Sequence, residues 1–132
     1  MAMREWRRAV YHTAPNSNGT LFQIAAANTF YTIATLTLPA GSYFITSKVT
    51  VSNFDWCANL TGGSLSGTYA QVDLEPDNGT VGIWLATLPL EAVATFSGTT
   101  AVSLQCEAAP NPDVYIYYPQ MSAIPVTNIV NQ

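Results

Sequence analysis

The sequence predicts an all-β domain that folds as a two-sheet sandwich or barrel, and three observations lead to that prediction. Short runs of alternating apolar and polar residues recur along the chain, with the two-residue period of a β-strand. Turn-forming residues separate the runs, and no run has a convincing helical period. The 16 threonines and the seven tyrosines are residue types typical of strands.

Residues 1–28 are predicted to form an N-terminal arm and the first strand or strands. Residues 1–12 fit one face of a short helix as well as they fit a strand, and we interpret them as an arm or a first strand. Residues 13–20 have the composition of a loop, with Asn18-Gly19 suited to a tight turn. The short apolar run 21–27 is predicted to be a strand.

The clearest β-hairpin is predicted over residues 30–53. Alternate residues from Phe30 to Leu38 share one face of a first strand. Pro39 and Gly41 then supply the fixed and the permissive backbone angles of a turn. A second strand, apolar on one face and polar on the other, follows directly. The sequence therefore predicts that these two strands pair with each other.

Further strands are predicted between turns through the rest of the chain. They cover residues 54–60, 64–75, 81–89, 92–96, 100–107 and 114–118. Apolar residues in phase along the strands are expected to form the core, and those expected to be mainly buried are Leu36, Leu38, Ile45, Val49, Val51, Ile83, Leu85, Val102 and Leu104.

Charged residues are scarce, at 9% of the chain against about a quarter in ordinary soluble domains. A surface with so few charges resists association poorly, so we expect neighbouring subunits to cover much of it in a homotrimer. The net charge of −4 argues against nucleic acid as a partner, because phosphate binding needs a basic surface. No run is long and apolar enough for a membrane-spanning helix, so no membrane is expected as a partner.

Positive charge is concentrated near the N-terminus. Three of the four basic residues are Arg4, Arg7 and Arg8, and Trp6 lies among them. Arginine and tryptophan often anchor protein interfaces, so these four residues are candidates for docking on an acidic protein lattice. The alternative is a solvated first strand. The segment lacks the apolar run of a secretory signal, and we therefore expect assembly in a host cytoplasm.

The two cysteines are Cys57 and Cys106, and a metal site would need more ligands near them. Cys106 is in phase with Val102 and Leu104 and is expected in the core. A disulfide between the two cysteines is an alternative. A cytoplasmic origin favours two free, mostly buried thiols.

We predict no catalytic residue, no cofactor and no metal. His12 is the single histidine, so a Ser-His-Asp or Cys-His arrangement would depend on a residue of the arm. Asp73, Glu75 and Asp77 are the candidates for paired catalytic carboxylates and for calcium ligands. They lack the spacing of a known calcium motif, and a hydrated strand edge accounts for them.

Three tyrosines cluster in the last predicted strand, at Tyr115, Tyr117 and Tyr118. Tyrosine is common at protein interfaces, and its ring is also able to stack on a sugar. We interpret the cluster as part of a subunit interface rather than as a saccharide platform.

The order of several motifs resembles a group of small β-proteins of actinobacteria and their tailed phages. The motifs are Leu-Thr-Leu-Pro-Ala-Gly-Ser-Tyr from Leu36, Val-Thr-Val-Ser-Asn from Val49, the strand with Cys57, Ala-Val-Ser-Leu-Gln-Cys from Ala101, and Met-Ser-Ala-Ile from Met121. These proteins look like the trimeric jelly-roll modules of the tumour-necrosis-factor and complement globular-head superfamily. The resemblance implies an antiparallel two-sheet jelly-roll sandwich over residues 29–126, followed by a C-terminal tail at 127–132.

The resemblance also implies a choice of functions, because this jelly roll serves as capsid decoration, fibre tip and secreted ligand. We expect a non-enzymatic virion protein of a tailed phage, a trimeric head-decoration (cement) protein on the capsid surface that binds the major capsid protein lattice. A short arm without a shaft fits decoration better than a fibre. The alternatives are a receptor-binding or tail-fibre-tip module for host cell-wall saccharide, and a bacterial cell-surface adhesive domain.

Overall fold

A computed structural model describes residues 10–13, 22–23, 29–52, 56–63, 65–72, 85–108 and 115–132. This part of the chain forms nine β-strands and no helix, which confirms the predicted all-β class. The strands are β1 (Tyr11–His12), β2 (Phe22–Gln23), β3 (Tyr31–Leu38), β4 (Gly41–Ser52), β5 (Trp56–Gly62), β6 (Leu65–Val72), β7 (Leu85–Phe96), β8 (Thr100–Ala108) and β9 (Tyr115–Val126). No described segment is a helix of the length and hydropathy needed to cross a membrane.

The strands pair into two antiparallel sheets that enclose one core. In the first sheet, β9 lies between β4 and the two short strands β1 and β2, and β7 pairs with the other edge of β4. The second sheet has the order β3-β8-β5-β6. Among the described strands from β3 onward, β5 and β6 alone are neighbours both in sequence and in a sheet. This interleaving of strands between two sheets is that of a jelly roll.

The predicted hairpin of residues 30–53 is wrong in its pairing. Both strands exist, but β3 pairs with β8, and β4 pairs with β7 and β9. Strands on opposite sides of one core have the same apolar and polar alternation, so alternation identifies the face that is buried without identifying the partner strand. The connection after Leu38 passes from one sheet to the other. Across it, the Tyr43 hydroxyl donates a 2.8 Å hydrogen bond to the Pro39 carbonyl oxygen.

The core lies between the two sheets and is mainly aliphatic. Seven of the nine residues predicted to be buried belong to it, namely Leu36, Leu38, Ile45, Val49, Val51, Val102 and Leu104. The prediction for Leu85 is wrong, because this side chain is 58% exposed. Ile83 lies outside the described residues.

The error at Leu85 is explained by Pro89. The sequence predicts that a strand ends at this proline, whereas β7 continues through it. β7 is the edge strand of its sheet, where a residue without an N–H group is tolerated. The inward-facing residues of β7 therefore keep one phase along the whole strand, and they are Leu88, Leu90, Ala94 and Phe96. Leu85 has the opposite phase and faces solvent.

The turn between β5 and β6 packs closely against the neighbouring strand β8. Gly62 has φ +147°, and a Cβ atom built on it would lie 2.3 Å from the Ala101 carbonyl oxygen. Gly63 has φ +54°, in the left-handed region that favours glycine. Two glycines in succession therefore let this turn approach β8 more closely than any side chain would allow.

Candidate functional site

The outward side of β9, β4 and β7, which we call face A, carries an apolar row. Ile124, Phe44 and Val93 are register partners on these three strands. Val93 is 50% exposed and Ile124 is 45% exposed, and Phe44 between them is half-buried. Because the outer side of such a sheet normally carries polar residues, a continuous apolar row there indicates a contact surface.

Hydroxyl groups form two pairs across β4 and β7 on face A, and one of these pairs is next to the apolar row. The Ser42 and Thr95 hydroxyl oxygens lie 2.7 Å apart, and those of Thr50 and Thr87 lie 2.9 Å apart. These cross-strand pairs satisfy each other across β4 and β7.

The charged side chains of face A, within the described residues, are Lys48 and Glu91. They lie on the adjacent strands β4 and β7, and no ion pair joins them to each other or to another described residue. A groove of about 230 Å³ runs beside them, and its lining also includes Pro89, Gln120 and Ser122. Each copy of face A thus offers one cation and one anion to an external partner.

Ser47 lies behind this groove with its side chain in the core phase of β4. It is 6% exposed, and its hydroxyl has no hydrogen-bond partner in the described part of the chain. Its register partners, Leu90 and Met121, are apolar and buried. A buried hydroxyl without a partner is costly, so this position does not contribute to stability through its polar atom.

The tyrosine cluster proposed for a subunit interface lies along β9. Tyr117 and Tyr118 stack with ring centroids 6.3 Å apart and planes at 31°. Tyr118 is 57% exposed and has φ +49°, at a point where β9 has an extra residue relative to β4. Tyr115 is half-buried at the start of the strand. The structure therefore brings two of the three rings into direct contact.

His12 lies on the outer edge of face A, opposite Ser122 in the pairing of β1 with β9. The row continues from Ser122 to Thr46 and then to Glu91. The imidazole Nδ1 of His12 is 3.1 Å from the neighbouring Thr13 carbonyl oxygen, and it makes no hydrogen bond to Ser122. His12 and Ser122 therefore lack the hydrogen bond that activates a serine nucleophile. Ser122 and Thr46 separate the imidazole from the Glu91 carboxylate along the row.

Cys106 is fully buried on β8, as its phase predicted. Its register partner on β5 is Ala58, and the neighbouring Cys57 pairs with Glu107. Cys106 forms no disulfide in the structure, which favours the thiol over the disulfide alternative for this residue. The side chain of Cys57 lies outside the described residues. In the described part of the chain, no three His, Cys, Asp or Glu side chains lie close enough to hold a metal ion.

Two groups of residues named from the sequence lie outside the part that the structure describes. One is the proposed docking group of the arm, Arg4, Trp6, Arg7 and Arg8. The other is the set of acidic residues considered as calcium ligands, Asp73, Glu75 and Asp77. Their roles remain predictions.

No protein-family model matches the chain, and a search of curated proteins finds no significant match.

The apolar row of face A was missed in the sequence. The sequence indicates this row at Phe44 alone. Tyr43 and Ile45 lie on the side of the strand that is expected to be buried, so Phe44 between them is expected to face solvent although it is aromatic. An aromatic residue in the solvent-facing phase indicates either a twist of the strand or a second contact surface. Register with Val93 and Ile124, which only the fold provides, distinguishes the two.

Proposed function

We propose that the protein is a non-enzymatic structural protein of a phage virion, a trimeric head-decoration protein that binds the outside of the capsid and reinforces it. Face A carries the proposal, because a sheet face with an exposed apolar row and two charges is suited to contact with another copy of the chain. The jelly roll and the sequence motifs support the same function, since folds of this kind serve in viral capsids.

In the proposed trimer, face A of each subunit meets its neighbours around a threefold axis. A cyclic assembly brings different parts of the same face together at each contact. Lys48 of one subunit then pairs with Glu91 of the next, and each gains the charged partner that it lacks among the described residues. The row of Phe44, Val93 and Ile124 is buried in the same contact.

Attachment to the capsid is proposed to depend on the arm residues Arg4, Trp6, Arg7 and Arg8. The described chain begins at Val10, next to β1 and at the edge of the first sheet. The arginines suit an acidic lattice that would repel the rest of this acidic chain.

Labelling of intact particles tests this function. Virions of the phage that encodes the protein are purified and treated with gold-labelled antibody against the folded protein. We expect gold particles distributed over the heads. Gold confined to tail tips would contradict head decoration and would favour the receptor-binding alternative.

A further inference from the structure

The outward side of β3, β8, β5 and β6, which we call face B, is rich in hydroxyl and amide side chains. Register partners form a row across all four strands: Thr32, Gln105, Asn59 and Tyr69. Strands are spaced by about 4.8 Å, so the row extends about 14 Å. That length suits an oligomeric ligand rather than a single small molecule.

Tyr69 ends the row on the edge strand β6. It is 66% exposed, more than any other large apolar or aromatic side chain in a described strand. Most of this residue is therefore available to a ligand. An exposed tyrosine ring presents a flat apolar surface with a hydroxyl at its edge, and both parts match a pyranose ring, which has an apolar C–H face and polar edges.

Asn59 is the register partner of Tyr69 on β5 and is half-buried. It makes no hydrogen bond to another described residue. Gln105, next in the row, donates from Nε2 to the Thr32 hydroxyl at 3.4 Å and keeps its carbonyl oxygen available. Two amides in line offer donors and acceptors together, which is what adjacent sugar hydroxyls need.

Charge on face B limits the class of ligand. The four strands contain one ionisable carboxylate or basic side chain, Glu107, which follows Gln105 on the same side of β8. A single carboxylate without a cation beside it repels acidic polymers and accepts hydrogen bonds from hydroxyl or amino groups. The exposed surface here is too polar for an apolar protein partner.

We propose that face B binds a neutral oligosaccharide, with the Tyr69 ring stacked on one sugar and the Asn59 and Gln105 amides bonded to the hydroxyls of the next. The proposal does not depend on the virion function. If face A forms the trimer contact, face B points outward in three copies, and binding to a surface polysaccharide gains from multivalency.

A glycan microarray carrying neutral, amino and acidic oligosaccharides tests the proposal with fluorescently labelled protein. We expect retention on neutral glycans and none on acidic ones. Titration with the best neutral oligosaccharide should then show that Tyr69→Ala and Asn59→Ala each weaken binding about tenfold, the loss expected for one good contact. Tyr69→Phe keeps the ring and should retain most of the affinity.

The control is Val130→Ala, which truncates an exposed apolar side chain that lies beyond the end of β9 and on neither face A nor face B. It should bind glycan as the unmodified protein does. Thermal unfolding of each variant verifies that the exposed substitutions leave the fold intact. No retention of any neutral glycan would overturn the proposal, as would binding that is lost with Val130→Ala and kept with Tyr69→Ala.

Discussion

Ser52 and Tyr115 join the end of β4 to the start of β9 through two hydrogen bonds. The Tyr115 backbone N–H donates to the Ser52 hydroxyl oxygen at 3.1 Å, and that hydroxyl donates to the Tyr115 carbonyl oxygen at 3.4 Å. Ser52 is 1% exposed. We expect Ser52→Ala to lower the free energy of unfolding by about 1–3 kcal/mol, because it leaves the partly buried backbone groups of Tyr115 without this partner. Urea denaturation measures the difference.

Ser47→Ala is the matched control for that change. Ser47 is the same residue type on the same strand and is also buried, but its hydroxyl has no partner in the described part of the chain. Its removal should leave the free energy of unfolding unchanged or raise it. A loss as large as that of Ser52→Ala would show that the Ser47 hydroxyl is bonded and would contradict this account.

Alkaline pH is expected to destabilise the fold through Tyr43. Burial, with a smaller contribution from the neighbouring Tyr11, raises the pKa of Tyr43 above its ordinary value of 10.0. The folded state therefore favours the neutral phenol, and this contribution to stability is complete below pH 10 and is lost as the pH rises above it. Tyr43→Phe removes this ionisation and also the hydrogen bond to Pro39.

The measurement is the free energy of unfolding between about pH 8 and pH 11, a range that spans the tyrosine pKa. The unmodified protein should lose stability more steeply with pH than Tyr43→Phe. At pH 8 the variant should be less stable by about 1 kcal/mol, the usual value of one hydrogen bond. Parallel pH profiles for the two proteins would refute the prediction.

The turn between β5 and β6 is expected to tolerate no side chain at Gly62. Its added Cβ would lie 2.3 Å from the Ala101 carbonyl oxygen, which is backbone and has little freedom to move. Gly62→Ala should cost about 1–3 kcal/mol or more, as overpacking does. Gly98→Ala serves as the control, because nothing lies within 4 Å of its added Cβ, and it should change stability by less than about 0.5 kcal/mol. Equal effects of the two substitutions would contradict the close packing of this turn.

A charge on the apolar row should dissociate the proposed trimer without unfolding the subunit. Ile124→Lys places an ammonium group between β9 and the neighbouring subunit of the proposed trimer. Ile124 is exposed in the isolated chain, so the subunit should still fold. Analytical ultracentrifugation should give a trimer for the unmodified protein and a monomer for this variant. Val130→Lys, at a more exposed apolar residue beyond β9, should remain trimeric. A trimer for both variants would show that face A does not form the interface between subunits.

Much of the fold is predictable from alternation, because the period of two in a strand identifies the buried side directly. Seven core residues on β3, β4 and β8 follow from this pattern, and so does the burial of Cys106. The pairing of β3 with β8 does not follow, since partners distant in sequence are chosen by the packing of the whole sandwich. The length of β7 does not follow from the sequence either. A proline usually ends a strand, and β7 continues through Pro89 because it lies at the edge of its sheet.

The candidate surfaces were less predictable than the fold. Charge scarcity indicated that some surface is covered, but the row of Phe44, Val93 and Ile124 exists only when three strands are aligned. The same holds for Asn59 beside Tyr69 on face B. Residues far apart in sequence become one surface through register, and register is a property of the sheets rather than of any single strand.

Attachment to heads tests the central claim most directly. Undecorated heads of the encoding phage are mixed with the full chain and with a form that lacks residues 1–9, a cut that keeps β1 and its contacts with β9. After sedimentation, we expect the full chain to saturate the heads in multiples of three copies and to raise the temperature at which they open. The shortened form should remain a folded trimer and bind weakly. Heads that bind no protein, with unchanged thermal stability, would contradict the account.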